Sequence, residues 1–348
     1  MRAVLMRRFG AEDVLQIEDV PTPEPSPGEA LVRVGAVEVS RTRDVATRGG
    51  NHPFSKQVAL PRILGGDFAG TVAAVGAGVD AGLVGRRVVA SLTQTCGECE
   101  ACRGGHRERC PRLSMLGIHR DGSYAELAVV NAAALAPIPD DLPLPQAAAL
   151  AADGAIAFAQ LGLAGAGPGT TLLVTGATGA LGSTLAALGV HLGARTVGLA
   201  RRPGQIPAGL DLAGRLDAAD PGLTEALLAL APDGVDAAVD NVAAPQAFRS
   251  YFPALAVGAR IVCSGAIGDP ELPVLPVPAA PLYMKSISLL GMRTARAADF
   301  AGFWELVAGG FRLPPGLVDE LPLERAAEAH ARIAAGEQLG HTVLTVAR

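Results

Sequence analysis

Residues 171–189 read TLLVTGATGALGSTLAALG and place a glycine-rich turn between a short apolar strand and a helix. Three glycines, Gly176, Gly179 and Gly182, follow one another with the spacing G-x-x-G-x-x-G. A glycine at 179 lets backbone approach a bound phosphate, and a glycine at 182 lets the helix pack close to the strand. The free N–H groups and the positive dipole at the helix start favour an anion there.

The chain that follows repeats this strand–helix pattern. Strands are predicted in ARTVGLA, GVDAAVDNV, ARIVCSG and ISLLGM, and helices in TEALLALA and PQAFRSYFPAL. The alternation predicts βαβ units on a parallel sheet, which is the context that a dinucleotide-binding motif requires. The alternative is an ordinary tight βα turn. The residues predicted to bind the dinucleotide in this motif are Gly176, Gly179, Ala180, Leu181 and Gly182.

The end of the second strand indicates which dinucleotide is bound. An acidic side chain there would bind the ribose 2′-hydroxyl of NAD, but the sequence has Ala200 followed by Arg201 and Arg202. Two cations in place of an acid fit the 2′-phosphate of NADP(H). The alternative is that both arginines only face solvent.

Outside this region the pattern changes. Residues 1–150 hold short β-like runs punctuated by Gly and Pro, starting with an N-terminal segment that we predict as an edge strand. Near the other end, LERAAEAHARIAAG predicts an amphipathic helix and HTVLTVA a last strand. A chain of 348 residues is too long for one compact core. We predict an α/β protein with domains at 1–153 and 154–289 and a C-terminal return to the first domain at 290–348.

Composition narrows the possible partners. The net charge is −5, and hydrophobic residues make up 49% of the chain. Nucleic acid and anionic membranes favour a basic face, so neither is expected as a partner. No apolar run reaches the length of about 18 residues that a membrane span needs, and the N-terminus lacks the features of a secretory signal. We predict a cytoplasmic protein that acts on a small molecule.

Four of the five cysteines lie in the polar segment CGECEACRGGHRERC, at Cys96, Cys99, Cys102 and Cys110. Disulfides are rare in a reducing compartment, and the segment is too polar to form a core. Four thiolates brought together by glycine turns predict a tetrahedral Zn²⁺ with no open position for water or substrate, hence a structural metal. Its binding would fold a lobe at residues 91–112. Cys263 lies in an apolar strand and is predicted to be a core residue.

Together these features resemble the medium-chain dehydrogenase/reductase superfamily over essentially the whole chain. The cysteine lobe is the most specific match and resembles that of zinc alcohol dehydrogenases, whereas TGATGALGS resembles the quinone and enoyl reductases. The resemblance implies a GroES-like β-rich catalytic domain, a Rossmann cofactor domain, and a homodimer that pairs through ISLLGM.

The resemblance also implies that a second zinc site has been lost. Zinc alcohol dehydrogenases hold a catalytic zinc with a Cys, a His from a Gly-His-Glu segment, and a further Cys or acid. These positions fall here at Ser40, at Gly66 (with Asp67 in place of the Glu) and at Ala152, or at Asp153 if the register differs by one. Serine, glycine and alanine side chains cannot build a catalytic zinc site.

The remaining roles also come from the resemblance. Arg41 and His341 fall where the family places cations for the pyrophosphate, Thr42 falls at its relay hydroxyl, and Tyr124 and Leu92 fall at substrate-pocket positions. The other residues expected to bind the cofactor are Asn241, Ser264, Gly265 and Leu290.

Three residues are candidate proton or hydrogen-bond donors, each with a structural alternative. Tyr124 would otherwise fill a domain junction, and Thr42 and Asp153 would otherwise cap helices. A partly desolvated Asp153 near the cofactor cleft would have a raised pKa and could deliver a proton.

Chemistry without a catalytic metal favours an activated alkene as the substrate. Hydride delivered to its β-carbon gives a delocalised enolate that hydrogen-bond donors can stabilise, and an acid or water then protonates the α-carbon. The sequence therefore predicts an NADPH-dependent enoyl or enone reductase. The alternatives are a quinone oxidoreductase, an alcohol or carbonyl dehydrogenase that works without zinc, and a non-catalytic NADPH-binding protein.

Overall fold

The computed structural model describes residues 1–265 and 274–347, and the chain divides into two compact units. Unit 1 comprises Met1–Ala152, Arg296–Arg312 and Val318–Arg348. Unit 2 comprises Asp153–Ala295 and Leu313–Leu317. The first unit boundary falls within one residue of the predicted one, whereas the return to unit 1 begins at residue 296 rather than 290.

The strands of the described residues are numbered along the whole chain. They are β1 (Arg2–Met6), β2 (Leu15–Asp19), β3 (Glu29–Glu38), β4 (Arg62–Ile63), β5 (Phe68–Val75), β6 (Arg87–Ala90), β7 (Thr93–Gln94), β8 (Ser114–Met115), β9 (Leu127–Asn131), β10 (Leu135–Pro137), β11 (Thr171–Thr175), β12 (Arg195–Ala200), β13 (Gly214–Asp217), β14 (Val235–Val239), β15 (Leu255–Cys263), β16 (Ser288–Gly291), β17 (Val318–Pro322) and β18 (His341–Thr345).

The α-helices are numbered in the same way. They are α1 (Ala46–Arg48), α2 (Glu100–Arg103), α3 (Leu144–Leu150), α4 (Asp153–Ala164), α5 (Ala180–His191), α6 (Leu223–Leu230), α7 (Pro245–Tyr251), α8 (Ala279–Met284), α9 (Ala297–Ala308) and α10 (Ala326–Ala334). A π-helical turn over Arg41–Val45 leads directly into α1.

Unit 2 is built on one parallel sheet, which confirms the prediction for this region. Its six strands lie in the order β13-β12-β11-β14-β15-β16. All five residues of β11 are buried, as expected for a central strand of a parallel sheet. The strand order reverses between β11 and β14, and the crevice beyond the carboxyl ends of strands at such a point is where doubly wound sheets bind ligands. The glycine motif follows β11 and therefore lies there.

Unit 1 is β-rich and mainly antiparallel. Its largest sheet has the order β10-β6-β5-β3-β18-β17, with β9 also paired to β3. The predicted C-terminal helix and strand are confirmed as α10 and β18, and β18 pairs antiparallel with β3. The N-terminal strand was predicted as an edge strand, which is wrong. It is the central strand of a three-stranded sheet, because both β2 and β4 pair with it.

Within the described part of the chain, no single helix combines the length and apolar content needed to cross a membrane. The bent pair α3 and α4 passes that test only when the two are taken together, and most of their residues are buried within the protein.

Candidate functional site

The four clustered cysteines are brought together in a small lobe of unit 1. Cys99 caps the short helix α2 by accepting the N–H of Cys102, and the Sγ atoms of Cys96 and Cys102 lie 3.9 Å apart. The Sγ atoms of Cys96 and Cys110 are separated by 3.6 Å, and all four sulfurs lie within 4.8 Å of one another. Tetrahedral Zn–S bonds of about 2.3 Å place sulfurs about 3.8 Å apart, so the four thiols fit a zinc ion.

The glycine motif of unit 2 has the geometry that a dinucleotide needs. Gly176 has a φ of +65°, which side chains disfavour, and a Cβ on Gly182 would lie 2.1 Å from the carbonyl oxygen of Gly176. Gly179 is the N-cap of α5, and a Cβ there would meet only one atom within 4 Å. The first-turn N–H groups of α5, including those of Ala180 and Leu181, have no partner within the helix. The motif therefore offers a close-packed turn and free donors for a phosphate.

The two arginines after β12 are exposed in unit 2. Arg201 and Arg202 follow Ala200, the last residue of a strand that pairs with β11. Their side chains are thus available at the carboxyl edge of the same sheet as the glycine motif. This placement fits the predicted 2′-phosphate role, which stays a prediction.

The strand ends beyond β14 and β15 are joined by a hydrogen-bonded cluster. Asn241 accepts from Gln160 Nε2 at 2.9 Å and from the backbone N–H of Ser264 at 2.7 Å, and its own amide donates to Gln160 Oε1 at 3.0 Å. A Cβ on Gly265 would lie 3.1 Å from the carbonyl oxygen of Asn241. Three predicted cofactor residues, Asn241, Ser264 and Gly265, therefore lie together, whereas Leu290 lies within the edge strand β16.

Asp240 is a positioning residue that the sequence reasoning missed. It is buried, and its Oδ1 accepts from Thr175 Oγ1 at 2.9 Å and from the N–H groups of Val242 and Ala243 at 3.0 Å. Its Oδ2 accepts from the hydroxyl of Tyr251 at 2.9 Å. Asp240 thereby ties the end of β11 to the loop after β14. An acid directly after the apolar end of a strand, the second Asp of GVDAAVDNV, is the signal that would have found it.

Two of the positions predicted to have lost metal ligands, Ser40 and Gly66, both border one buried arginine of unit 1. Arg43 donates Nη1 to the carboxylate of Asp67 and Nη2 to Asp44 Oδ2 at 3.2 Å. The same Asp44 oxygen accepts the N–H of Ser40 at 2.8 Å. A Cβ on Gly66 would lie 3.1 Å from Arg43 Nε. Sequence reasoning missed Arg43 and Asp44, although RTRD directly after a strand was a visible signal.

The electrostatics of this cluster keep the guanidinium charged. Burial alone would lower the pKa of Arg43, but the neighbouring carboxylates of Asp44, Asp67 and Glu38 raise it above its ordinary value. Asp67 also accepts the N–H of Leu92 through Oδ1 at 2.7 Å, so both of its oxygens are engaged.

Arg41 and Thr42, also in unit 1, are both exposed. Arg41 Nη2 donates to the carbonyl oxygens of Ile333 at 2.9 Å and Ala334 at 3.2 Å, at the C-terminus of α10. A cation is favourable at that end of a helix. Thr42 caps no helix, and its Oγ1 lies 3.4 Å from Ser40 Oγ. The predicted roles in cofactor binding and catalysis stay predictions.

Tyr124 and His341 are fully buried in unit 1. The hydroxyl of Tyr124 lies 3.0 Å from Nε2 of the buried His330, which favours the packing alternative over the predicted donor role. His341 Nδ1 lies 2.5 Å from a carboxyl oxygen of Glu38, and burial, followed by the charge of Asp67, raises the pKa of Glu38 well above its usual range. His341 was predicted as a cation for the pyrophosphate. In unit 1 its ring lies against this carboxyl, and the cofactor role stays a prediction.

Asp153 is the first residue of α4 and of unit 2, and it is partly buried. This agrees with the predicted helix start. Ala152, the predicted position of the third metal ligand with Asp153 as its alternative, is the last residue of the first segment of unit 1.

Comparison with known proteins covers both units. Residues 26–140 match the family model described as "Alcohol dehydrogenase GroES-like domain", and residues 180–309 match "Zinc-binding dehydrogenase". An L-threonine 3-dehydrogenase of Anaeromyxobacter dehalogenans is 31% identical over 83% of this chain and 82% of its own. An alcohol dehydrogenase of Geobacillus stearothermophilus is 29% identical over 99% of this chain and all of its own. The solved structure of an NAD-dependent alcohol dehydrogenase superposes with a TM-score of 0.87, at 32% identity and full coverage of both chains.

Proposed function

Because the chain belongs to the medium-chain dehydrogenase/reductase superfamily, we propose that it is an NADPH-dependent reductase that transfers hydride to an activated C=C bond, without a catalytic zinc. The observation that carries this proposal is the set of side chains at the expected ligand positions. Ser40, Gly66 and Ala152 offer no thiolate, imidazole or carboxylate, and Asp67 has both oxygens bound by protein donors.

The absence of these ligand types limits the chemistry. Reducing a simple ketone develops a localised alkoxide, which a Lewis acid stabilises strongly. Reducing an enone or enoyl ester spreads the charge over an enolate, for which hydrogen-bond donors suffice. The chain therefore favours an activated alkene as the substrate class.

The residues of unit 2 support the cofactor part of the proposal. NADPH bound at the glycine motif would supply the hydride. The N-terminus of α5 would hold its pyrophosphate, with Arg201 and Arg202 on its 2′-phosphate. Asn241, fixed by its two bonds to Gln160, would hold Ser264 beside the nicotinamide through the Ser264 N–H. Thr42 and Asp153 are the candidate proton donors, and the four cysteines would hold a structural zinc.

A second candidate function comes from the relatives, which are named alcohol and threonine dehydrogenases rather than enoyl reductases. On that proposal the chain interconverts an alcohol and a carbonyl compound by means of side-chain acids alone.

The test is steady-state turnover against a substrate panel. NADPH oxidation is measured with enones, enoyl thioesters, quinones and simple ketones, and NADP⁺ reduction with simple alcohols. We expect activated alkenes to give the highest kcat/KM, and this value to survive dialysis against a chelator that leaves the fold intact. Fastest turnover of simple alcohols or ketones would contradict the proposal and favour the second candidate.

A donor variant with a matched control sharpens the test. We expect Asp153→Asn to lower kcat with the alkene substrate, whereas the same change at the exposed Asp211 of unit 2 should leave it unchanged. Because water can replace a proton donor, the loss should be below the roughly 10²–10³-fold that removal of a well-placed oxyanion donor causes.

A further inference from the structure

The guanidinium of Arg43 fills the space into which a ligand side chain at position 66 would project. A Cβ built on Gly66 would lie 3.1 Å from Nε and 3.3 Å from Cζ of Arg43, and 2.7 Å from Cβ of Leu92. The Arg43 side chain is only 10% exposed, so it is enclosed by protein in this position. A histidine at 66 and this guanidinium would compete for the same volume.

Ser40, the second expected ligand position, is linked to the Arg43 guanidinium through Asp44. Asp44 Oδ2 accepts both the backbone N–H of Ser40 and Nη2 of Arg43. Ser40 and Gly66 lie on two different segments of the chain. Both are therefore held next to the same guanidinium group. The hydrogen bonds of Asp44 and Asp67 to it fix its plane.

The charge balance explains why a cation is needed there. Asp44 and Asp67 are buried carboxylates, and a buried carboxylate without a cation or hydrogen-bond donors is strongly destabilising. Arg43 supplies one permanent positive charge, which no accessible pH removes. A divalent cation placed beside it would meet like charge at short range in a poorly solvated environment.

We propose that Arg43 is a built-in replacement for a catalytic metal: it fills the space beside Gly66, neutralises Asp44 and Asp67, and excludes a divalent cation from this part of unit 1. The resemblance to zinc alcohol dehydrogenases implies a catalytic metal at the positions of Ser40 and Gly66, and the donor set present here does not fit such a metal. The inference is independent of the substrate class proposed above.

The test counts metal ions per chain by native mass spectrometry in the full-length protein. The variants are Ser40→Cys, which adds a thiol ligand, and the double variant Ser40→Cys/Arg43→Ser, which also removes the guanidinium. After exposure to Zn²⁺ we expect one zinc in the unaltered protein and in Ser40→Cys, and two in the double variant. Two zinc ions while Arg43 is present would overturn the proposal, and so would one in the folded double variant.

A second measurement keeps the proposal testable if the double variant does not fold. Arg43→Ser alone should lower the melting temperature, and millimolar guanidinium ion should restore part of it by entering the vacated space. The control is Arg86→Ser, which changes an exposed arginine of the same unit. An unchanged melting temperature in Arg43→Ser would overturn the replacement role. So would a guanidinium-induced rise in melting temperature that is no larger in Arg43→Ser than in Arg86→Ser.

Discussion

Two exposed arginines after β12 stand where a dinucleotide-binding sheet places its ribose-recognising residue. We expect the double change Arg201→Gln/Arg202→Gln to weaken NADPH binding by about tenfold to a hundredfold, because a charge-assisted hydrogen bond contributes roughly 1.5–3 kcal/mol. NADH binding should be nearly unaffected, since it carries no 2′-phosphate. Calorimetric titration with both cofactors measures the difference, with the exposed Arg195 changed to Gln as the control.

The unaltered protein itself provides a check on this prediction. Equal affinity for NADPH and NADH would show that the two arginines do not read the 2′-phosphate. The cofactor preference would then need another explanation within unit 2.

The buried His330 makes the free energy of unfolding depend on pH. Its burial lowers its pKa from 6.5 to about 4, so the folded protein keeps the ring neutral. Between those values the unfolded chain binds a proton that the folded chain does not, and stability therefore falls as the pH drops from about 6.5 to about 4. The shift corresponds to a loss on the order of 2–3 kcal/mol across this range, and stability from this group is fully present above pH 6.5.

Unfolding by urea at several pH values tests this contribution. We expect His330→Gln to flatten the slope of unfolding free energy against pH between about 4 and 6.5. The same change at the exposed His191 of unit 2 should leave the slope as it is. An identical slope in the His330 variant would show that other groups cause the acid sensitivity.

At the scale of elements, we expect the cysteine lobe to depend on a bound zinc ion for its folding. Residues 91–112 contain only the short helix α2, a 3-10 turn at Arg107–Arg109 and the two-residue strand β7, which pairs with β8 just beyond them. This is too little regular structure to hold four thiols together without help. We expect Cys110→Ser to abolish the single zinc per chain and to lower folding yield, because a structural zinc contributes on the order of 10 kcal/mol of binding energy. Elemental analysis and circular dichroism provide the readouts.

A control variant distinguishes the loss of a zinc ligand in the lobe from the general effect of removing a thiol. Cys263 lies in β15 of unit 2, and Cys263→Ser should leave the zinc content at one per chain. If Cys110→Ser kept a full complement of zinc, the four-cysteine assignment would be wrong.

The elements that the sequence predicted well share a strong local signal. The strands β11, β12, β14 and β15 are apolar runs between glycine turns, and their alternation with helices sufficed to predict a parallel sheet. By contrast β13, with the residues Gly214–Asp217, is a short and only half-buried edge strand with no apolar run. Its pairing with β12 is a tertiary interaction that no local pattern records.

The candidate site shows the same division. The glycine motif and the cysteine spacing each carry their function within a few residues, so both were found in the sequence. The Arg43 cluster brings Ser40 and Asp44 next to Asp67, which lies on a different segment of the chain. Its charges interact strongly only once folding has buried them together. The contact of the Tyr124 hydroxyl with His330 also joins distant parts of the chain, so sequence position alone did not reveal it, and the donor role of Tyr124 stays a prediction.

At the scale of the whole molecule, several exposed apolar side chains lie near β16, which is an edge strand of the unit 2 sheet among the described residues. Leu289 of the edge strand β16 is 44% exposed, and Tyr283 and Met284 of the preceding helix α8 are 71% and 73% exposed. Val257, 78% exposed, lies in the same region, because the N–H of Gly258 donates to the carbonyl of Lys285 at 2.7 Å. An unpaired edge strand with apolar neighbours is a surface that pairing with another strand would cover.

We therefore expect a homodimer in which the β16 strands of two copies pair edge to edge. A two-fold interface uses the same surface of both copies, so one substitution adds two charges to it. Met284→Lys and Val257→Glu should each shift the protein towards monomer in sedimentation velocity without changing the helix content. The control is Val84→Glu, an exposed valine of unit 1, which should leave the dimer intact. An unaltered protein that sediments as a monomer at micromolar concentration would refute the pairing, and a dimer that tolerates both charges would place the interface elsewhere.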